Sequence, residues 1–211
     1  MLFVLIVGPV LILCLLIDPL VHRLVAIEPS AKPDLEDSDT YQVFRQAGWL
    51  LPWIFLIAAF AGHRWWSARW RLRQLRDTTT PLAFAIIIAG GVAELLKRLI
   101  GKERPGPDGE ITFKPLLDAF SDDINLGLPS SHAAVAFAAA FALARLYPGS
   151  GIPLVLLAIG TGFSRIYVGA HFLSDVVAGA AIAYATVWLI VRRTPPAFGG
   201  VTPQADVESG S

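Results

Sequence analysis

SRIYVGAHFLSD, Ser164 to Asp175, sets a serine, an arginine, a histidine and an aspartate inside a chain otherwise dominated by apolar residues. Charge is costly in lipid surroundings, so a cluster of this kind marks a candidate functional site. His171 and Asp175 stand four residues apart. A helix from Phe172 onward places them on one face, with the carboxylate in reach of the imidazole. Arg165, on the other side of Gly169, can bring a planar fork of donors to the same place. The spacing predicts an oxyanion held by arginine beside an oriented histidine.

The chain around this cluster is 211 residues long, 55% hydrophobic and only 16% charged, with a mean hydropathy of +0.58. Those values lie far from soluble averages and identify an integral membrane protein. Its 17 basic and 17 acidic side chains give zero formal net charge, so no bulk field argues for nucleic acid. The single cysteine, Cys14, lies in an apolar run and cannot form an intrachain disulfide. Met1 to Ile17, extended toward Leu20, is long enough to cross a hydrocarbon core of about 30 Å. It lacks a basic leader and a small-x-small cleavage site before Asp18 and Arg23, and so reads as a retained first helix.

Further along, Glu28 to Tyr41 is acidic and proline-containing, the composition of a solvated loop. Gly48 to Gly62 is apolar but short, and Pro52 predicts a kink or a late helix start. His63 to Arg76, HRWWSARWRLRQLR, interleaves five arginines with three tryptophans. Nucleic-acid binding is one reading of that mixture; beside a membrane span an interfacial anchor is the better one, and the positive-inside rule puts it in the cytoplasm. Thr80 and Pro81 read as the opening of the next helix, which runs to Ile100. Gly101 to Leu128 reads as a polar loop on the opposite side. Ser130 to Tyr147 is alanine-rich, and Ile152 to Val168 and Phe172 to Val191 supply two more spans, closed by Arg192 and Arg193. The expectation is an all-α polytopic fold with six transmembrane helices in residues 1–194, both termini cytoplasmic, and a disordered tail over residues 195–211. Compact size and short loops suit a bacterial inner membrane.

In that topology Lys97, Arg104, Ser130, His132, Arg165, His171 and Asp175 all fall at one membrane face, the non-cytoplasmic one. Pro129-Ser130-Ser131-His132 opens an apolar helix, so Ser130 is placed as N-cap and the amides of Ser131 and His132 are free to bind an anion. Blander readings stand beside these. Lys97 can pair with Glu94 or snorkel, Ser130 can be a simple cap, His132 a core histidine, and Ser164 a packing residue as easily as a phosphate ligand. Arg165 and Asp175 can form a packing ion pair, and Arg98 and Lys102 read as ordinary interfacial charges. Two histidines and an aspartate can also ligate zinc, but the converging lysine and arginines favour a polyanion such as phosphate over a metal.

The ordered set KRLIGKERP (Lys97 to Pro105), PSSH (Pro129 to His132) and SRIYVGAHFLSD (Ser164 to Asp175) resembles the three-part signature of the type 2 phosphatidic acid phosphatase family, which also contains the vanadium haloperoxidases. The likeness covers roughly Glu94 to Asp175. One position departs: the family's second part usually has glycine where this chain has Ser131, adding a side chain near the anion. The resemblance implies a six-helix membrane fold and a phosphatase needing neither metal nor other cofactor. It implies that His171 attacks phosphorus to give a phosphohistidine, that Asp175 orients it, and that His132 protonates the leaving alkoxide. Lys97, Arg104, Ser130, Ser131 and Arg165 would hold the phosphoryl oxygens. The partners implied are a lipid phosphate or diphosphate and the bilayer, the candidates being phosphatidic acid, phosphatidylglycerol phosphate, undecaprenyl diphosphate and lipid A. Phosphate transfer between lipids is the enzymatic alternative, and an anion transporter is the non-enzymatic one, although no inverted repeat relates the two halves. Vanadium-dependent halide oxidation is disfavoured because the haloperoxidases are soluble.

Overall fold

The computed structural model describes residues 2–66, 72–106, 108–121, 125–192 and 194. The expected tail, residues 195–211, and the centre of the arginine-tryptophan stretch, residues 67–71, lie outside them. Six apolar helices carry the fold: α1 (Leu2–Val25), α4 (Leu50–Trp66), α5 (Leu72–Ile100), α7 (Ser131–Leu146), α8 (Gly151–Tyr167) and α9 (Leu173–Val191). Within them Phe3–Val25, Thr79–Ile100 and Leu173–Val191 are long and apolar enough to cross a bilayer, while Leu50–Ala59, Ser131–Leu146 and Gly151–Tyr167 are shorter apolar segments. The described residues contain no strand.

Alanine makes α7 the centre of the bundle. Ala133, Ala134, Ala136, Ala138, Ala139, Ala140 and Ala142 are all buried, and α7 packs on α5, α8 and α9. Small side chains let helix backbones approach closely where lipid supplies no hydrophobic drive to associate. Gly179 on α9 shows how close: a Cβ there would stand 2.6 Å from the Ser130 carbonyl oxygen and 3.0 Å from the Ala133 Cβ. The outer helix α1 packs on α9 and turns Leu5, Ile12, Leu13 and Leu16 outward, where acyl chains are the matching solvent.

Three expectations about element boundaries change. The helix expected to open at Thr80 and Pro81 begins at Leu72, with Pro81 inside it; proline removes one backbone donor, a loss that membrane helices tolerate. The acidic stretch expected as a solvated loop winds into a 3-10 turn (Pro29–Ala31) and two short helices, α2 (Lys32–Glu36) and α3 (Asp39–Ala47). Ser38 caps α3 by accepting from the Tyr41 amide, so the polar residues there start a helix. The 101–128 segment also contains a short helix, α6 (Leu116–Ser121). Pro52 falls in the first turn of α4, which starts at Leu50, a position where its missing N–H costs nothing.

One end of the bundle gathers the ends of α1 and α8 and the starts of α7 and α9. There the Ile27 amide donates to the Tyr167 carbonyl at 2.8 Å and the Ser130 amide to the Asp175 carbonyl at 2.9 Å. We expect Gly179→Ala to destabilise the protein by about 1–3 kcal/mol, because a backbone carbonyl cannot move aside as a side chain can. Unfolding in detergent checks this, with Gly91→Ala as control, since a Cβ at Gly91 meets nothing within 4 Å and should cost no stability.

Candidate active site

The α8–α9 connection builds the first half of the site. After Tyr167 the chain turns through Gly169, whose φ of +68° lies in the left-handed region open to glycine. Ala170 and His171 donate their amides to the Arg165 carbonyl, at 2.9 and 3.2 Å. His171 therefore sits just before α9 instead of on it. The expected pairing still forms: Asp175, in the first turn of α9, brings Oδ2 to 3.4 Å from His171 Nδ1 and accepts the Phe172 amide at 2.9 Å. Both side chains are almost completely buried. Burial pushes the His171 imidazole down to about 4, against the upward pull of Asp175. At neutral pH the ring is uncharged, and a carboxylate beside Nδ1 favours the tautomer that leaves the Nε2 lone pair free.

The second half comes from the start of α7. Ser130 is the N-cap, its Oγ accepting from the Ala133 amide at 3.5 Å. His132, the second residue of the helix, is covered by the α3–α4 link: a Cβ on Gly48 would stand 2.7 Å from the His132 Cβ. Arg165, Lys97, Arg104 and His171 all lie near enough to act electrostatically on the His132 ring. Arg165 is 7% exposed and donates from Nη1 to the Tyr41 hydroxyl at 2.6 Å. Two buried nitrogens in this group, His132 Nε2 and Arg165 Nε, have no hydrogen-bond partner among the described residues. Buried donors are rarely left so.

Lys97 and Arg104 reach the site by different routes. Lys97 lies in the last turn of α5 and is 7% exposed. Its Nζ donates to Glu94 Oε1 at 3.0 Å and to Ser131 Oγ at 2.8 Å, and the Ser131 hydroxyl in turn donates to Glu94. Both the expected Glu94 pair and a use for the Ser131 side chain are realised in one cluster. Beyond α5 the chain turns at Gly101, with φ +69°, and runs extended, bridging Lys102 to Phe113 and Glu103 to Leu126. Alternation along an extended segment sends Lys102 and Arg104 to one side and Glu103 to the other. Glu103 accordingly accepts from Thr112 at 2.5 Å, which together with nearby Asn125 and Lys114 holds its carboxyl below the usual range. Arg104 donates from Nε to the Leu126 carbonyl at 3.3 Å.

Lys102 corrects the reading of it as an interfacial charge. It is fully buried, donating to Asp18 Oδ2 at 2.8 Å, Ser174 Oγ at 2.8 Å and Asp175 Oδ1 at 3.1 Å, with its Nζ 4.2 Å from the centre of the Phe172 ring. Asp18 also accepts the Ser174 amide at 2.9 Å and its hydroxyl at 2.5 Å. Asp175 thus pairs with Lys102 and His171, and the alternative Arg165–Asp175 ion pair does not form. Ser164 takes its packing reading: its hydroxyl donates to the Thr161 carbonyl at 2.8 Å. Sequence reasoning missed Lys102, Asp18 and Tyr41. The signal available was Asp18, a carboxylate inside an apolar helix that needs a buried partner.

The sequence model of the PAP2 superfamily matches residues 78–198, more than half of the chain and all three motif segments. The chain belongs to the PAP2 superfamily. Among its PAP2 relatives, the lipid A 1-phosphatase of Rhizobium johnstonii is 40% identical over 107 residues, 47% of this chain and 41% of that protein. The decaprenylphosphoryl-5-phosphoribose phosphatase of Mycobacterium tuberculosis is 37% identical over 106 residues, 49% of this chain and 54% of that protein. The chain spans about half the length of the curated relatives it matches. Its fold is that of two crystal structures. LpxE of Aquifex aeolicus superposes with a TM-score of 0.56 at 22% identity, over 84% of this chain and 94% of that one. The transmembrane PAP2 type phosphatidylglycerolphosphate phosphatase of Bacillus subtilis gives 0.61 at 17%, over 90% and 94%.

In this PAP2 protein Lys102→Met leaves Asp18 and Asp175 buried without their shared cation, a change expected to cost about 3–5 kcal/mol. Adding Asp18→Asn to that variant should restore part of the loss. Denaturant unfolding in detergent decides: a single variant as stable as the parent would show that the buried lysine is not the counter-charge.

Proposed function

We propose that the chain is an integral membrane lipid phosphatase that removes a terminal phosphate from a lipid phosphate or diphosphate, through a phosphohistidine on His171 and without a metal. The observation that carries this reading is a pair of unpartnered buried nitrogens, His132 Nε2 and Arg165 Nε, in the same space as the neutral, carboxylate-backed His171. A phosphoryl group supplies the acceptors those nitrogens lack. Superfamily membership supports the reaction class, and the relatives named as lipid A and decaprenylphosphoryl-5-phosphoribose phosphatases support a lipid substrate.

In this mechanism the His171 Nε2 lone pair forms the N–P bond as the P–O bond to the lipid breaks, and His132 delivers a proton to the departing oxygen. The negative charge of the phosphate favours the proton that His132 must carry. Lys97, Arg104 and Arg165 hold the equatorial oxygens with the amides of Ser131 and His132 at the helix start. Behind His171, one ammonium on Lys102 faces two carboxylates, Asp18 and Asp175, leaving net negative charge to stabilise the imidazolium that forms. Water then attacks phosphorus, passing a proton to the now neutral His132 as the N–P bond breaks and its electron pair returns to His171 Nε2. The site lies where helices end, so a lipid tail can stay in the bilayer while its headgroup enters, and the positive-inside rule assigns this end to the non-cytoplasmic face.

His171→Ala should abolish phosphate release from lipid phosphates in detergent micelles while the protein stays folded, and wild-type activity should survive EDTA. Activity lost to chelation and restored by zinc would overturn the metal-free mechanism. His132→Ala should lose at least about tenfold more rate on an alkyl phosphate than on a nitrophenyl phosphate, whose leaving group needs little protonation. Equal losses on the two would remove His132 as general acid.

A further inference from the structure

Beside the proposed catalytic space lies a second cavity, of 680 Å³, lined by His22, Arg23, Glu28, Lys32 and Asp108, with Pro105 and Gly106 in its wall. Its size is that of a small-molecule site. It adjoins the chain segments that carry Arg104 and His171. Pro105 directly follows Arg104, and on the other side Lys32 Nζ stands 3.2 Å, and His22 Cε1 3.3 Å, from the position a Cβ on Gly169 would occupy. Gly169 is two residues from His171.

His22 is the anomaly in this cavity. Its side chain is nine-tenths buried, packed against Gly109 by a 2.8 Å approach to where a Cβ would be and against the Phe172 ring at 5.9 Å, yet its buried Nδ1 has no partner among the described residues. Lys32 is half-buried and Arg23 exposed, and among the described residues neither forms a salt bridge with Glu28 or Asp108. The lining thus offers cations to an anion and carboxylates to hydroxyl donors, a mixture that suits neither an acyl chain nor bare phosphate.

We propose that this cavity is a headgroup subsite for a hydroxyl-rich, glycosyl-type lipid headgroup bearing a second anionic group, bound beside the phosphate that is removed. The inference rests on the phosphatase reading above and narrows its substrate class. Arg23, Lys32 and His22 Nδ1 take the second anion; Glu28 and Asp108 accept headgroup hydroxyls. None of these five belongs to the proposed catalytic set.

The test compares two substrates in the same micelles: a bis-phosphorylated glycolipid, and hexadecyl phosphate, which has no headgroup beyond its phosphate. Lys32→Ala and Arg23→Ala should each raise KM for the glycolipid about tenfold, the loss of one charge-assisted hydrogen bond, with kcat unchanged. Asp108→Asn should raise KM for a mono-phosphorylated glycolipid as well, since it acts through hydroxyls. Hexadecyl phosphate should be turned over alike by the wild type and all three variants. Equal effects on both substrates, or none on either, would overturn the subsite. Native mass spectrometry of the wild type and Lys32→Ala with each lipid separates the two readings. Selective glycolipid retention lost on Lys32→Ala supports the subsite even if the wild type released no phosphate, an outcome that would sink only the phosphatase reading. Equal retention by wild type and variant would sink the subsite alone.

Discussion

A single buried ammonium holds together the end of the bundle that carries the candidate site. Lys102 has no exposed surface and reaches Asp18 on α1 and Ser174 and Asp175 on α9 with its three donors. A charge in that position is tolerable only because every donor is used and two carboxylates answer it. Asp175 carries the constraint onward. Its side chain fixes His171 and the Phe172 amide, and its backbone carbonyl accepts the Ser130 amide that begins α7. Through Asp175 and the lysine and serine that join it to Asp18, the first helix, the extended 101–104 segment and the starts of α7 and α9 are locked in mutual register.

The polar groups divide into a satisfied rear and an unsatisfied front. Behind His171, Lys102, Asp18, Ser174 and Asp175 complete one another's hydrogen bonds, so that half is rigid without a ligand. In front, His132 Nε2 and Arg165 Nε are buried and unpartnered among the described residues, and the Tyr41 hydroxyl, accepting from Nη1, holds the Arg165 fork from the side. Such a division suits the proposed mechanism, in which His171 is held still while donors face an incoming anion. Ser131 adds a local variation. Where the resembling signature usually has glycine, its hydroxyl joins Lys97 to Glu94, tying the end of α5 to the start of α7.

Much of this was legible in the residues. The apolar runs announced six helices, because a helix in lipid must be apolar over most of its length. Ser130 announced its cap, and the four-residue spacing of His171 and Asp175 announced their contact, because caps and near neighbours are set by local geometry. Other features depended on where the chain returns to itself. Lys102 meets Asp18 across 84 residues and Arg165 meets Tyr41 across 124. Within its own segment Lys102 looks like any cation near a helix end. The turn at Gly101 and the extended run beyond it decide that Lys102 points inward with Arg104 while Glu103 points away.

By itself, then, the sequence determined the helices, the membrane setting and the cast of chemical groups, since these follow from composition, periodicity and short spacings. Tertiary structure alone decided which charges are buried together, which nitrogens are left without partners, and that His22 and Lys32 share a cavity beside the His171 turn. The physical reason is that burial and pairing belong to three-dimensional neighbours, and in this bundle those neighbours come from helix ends far apart along the chain.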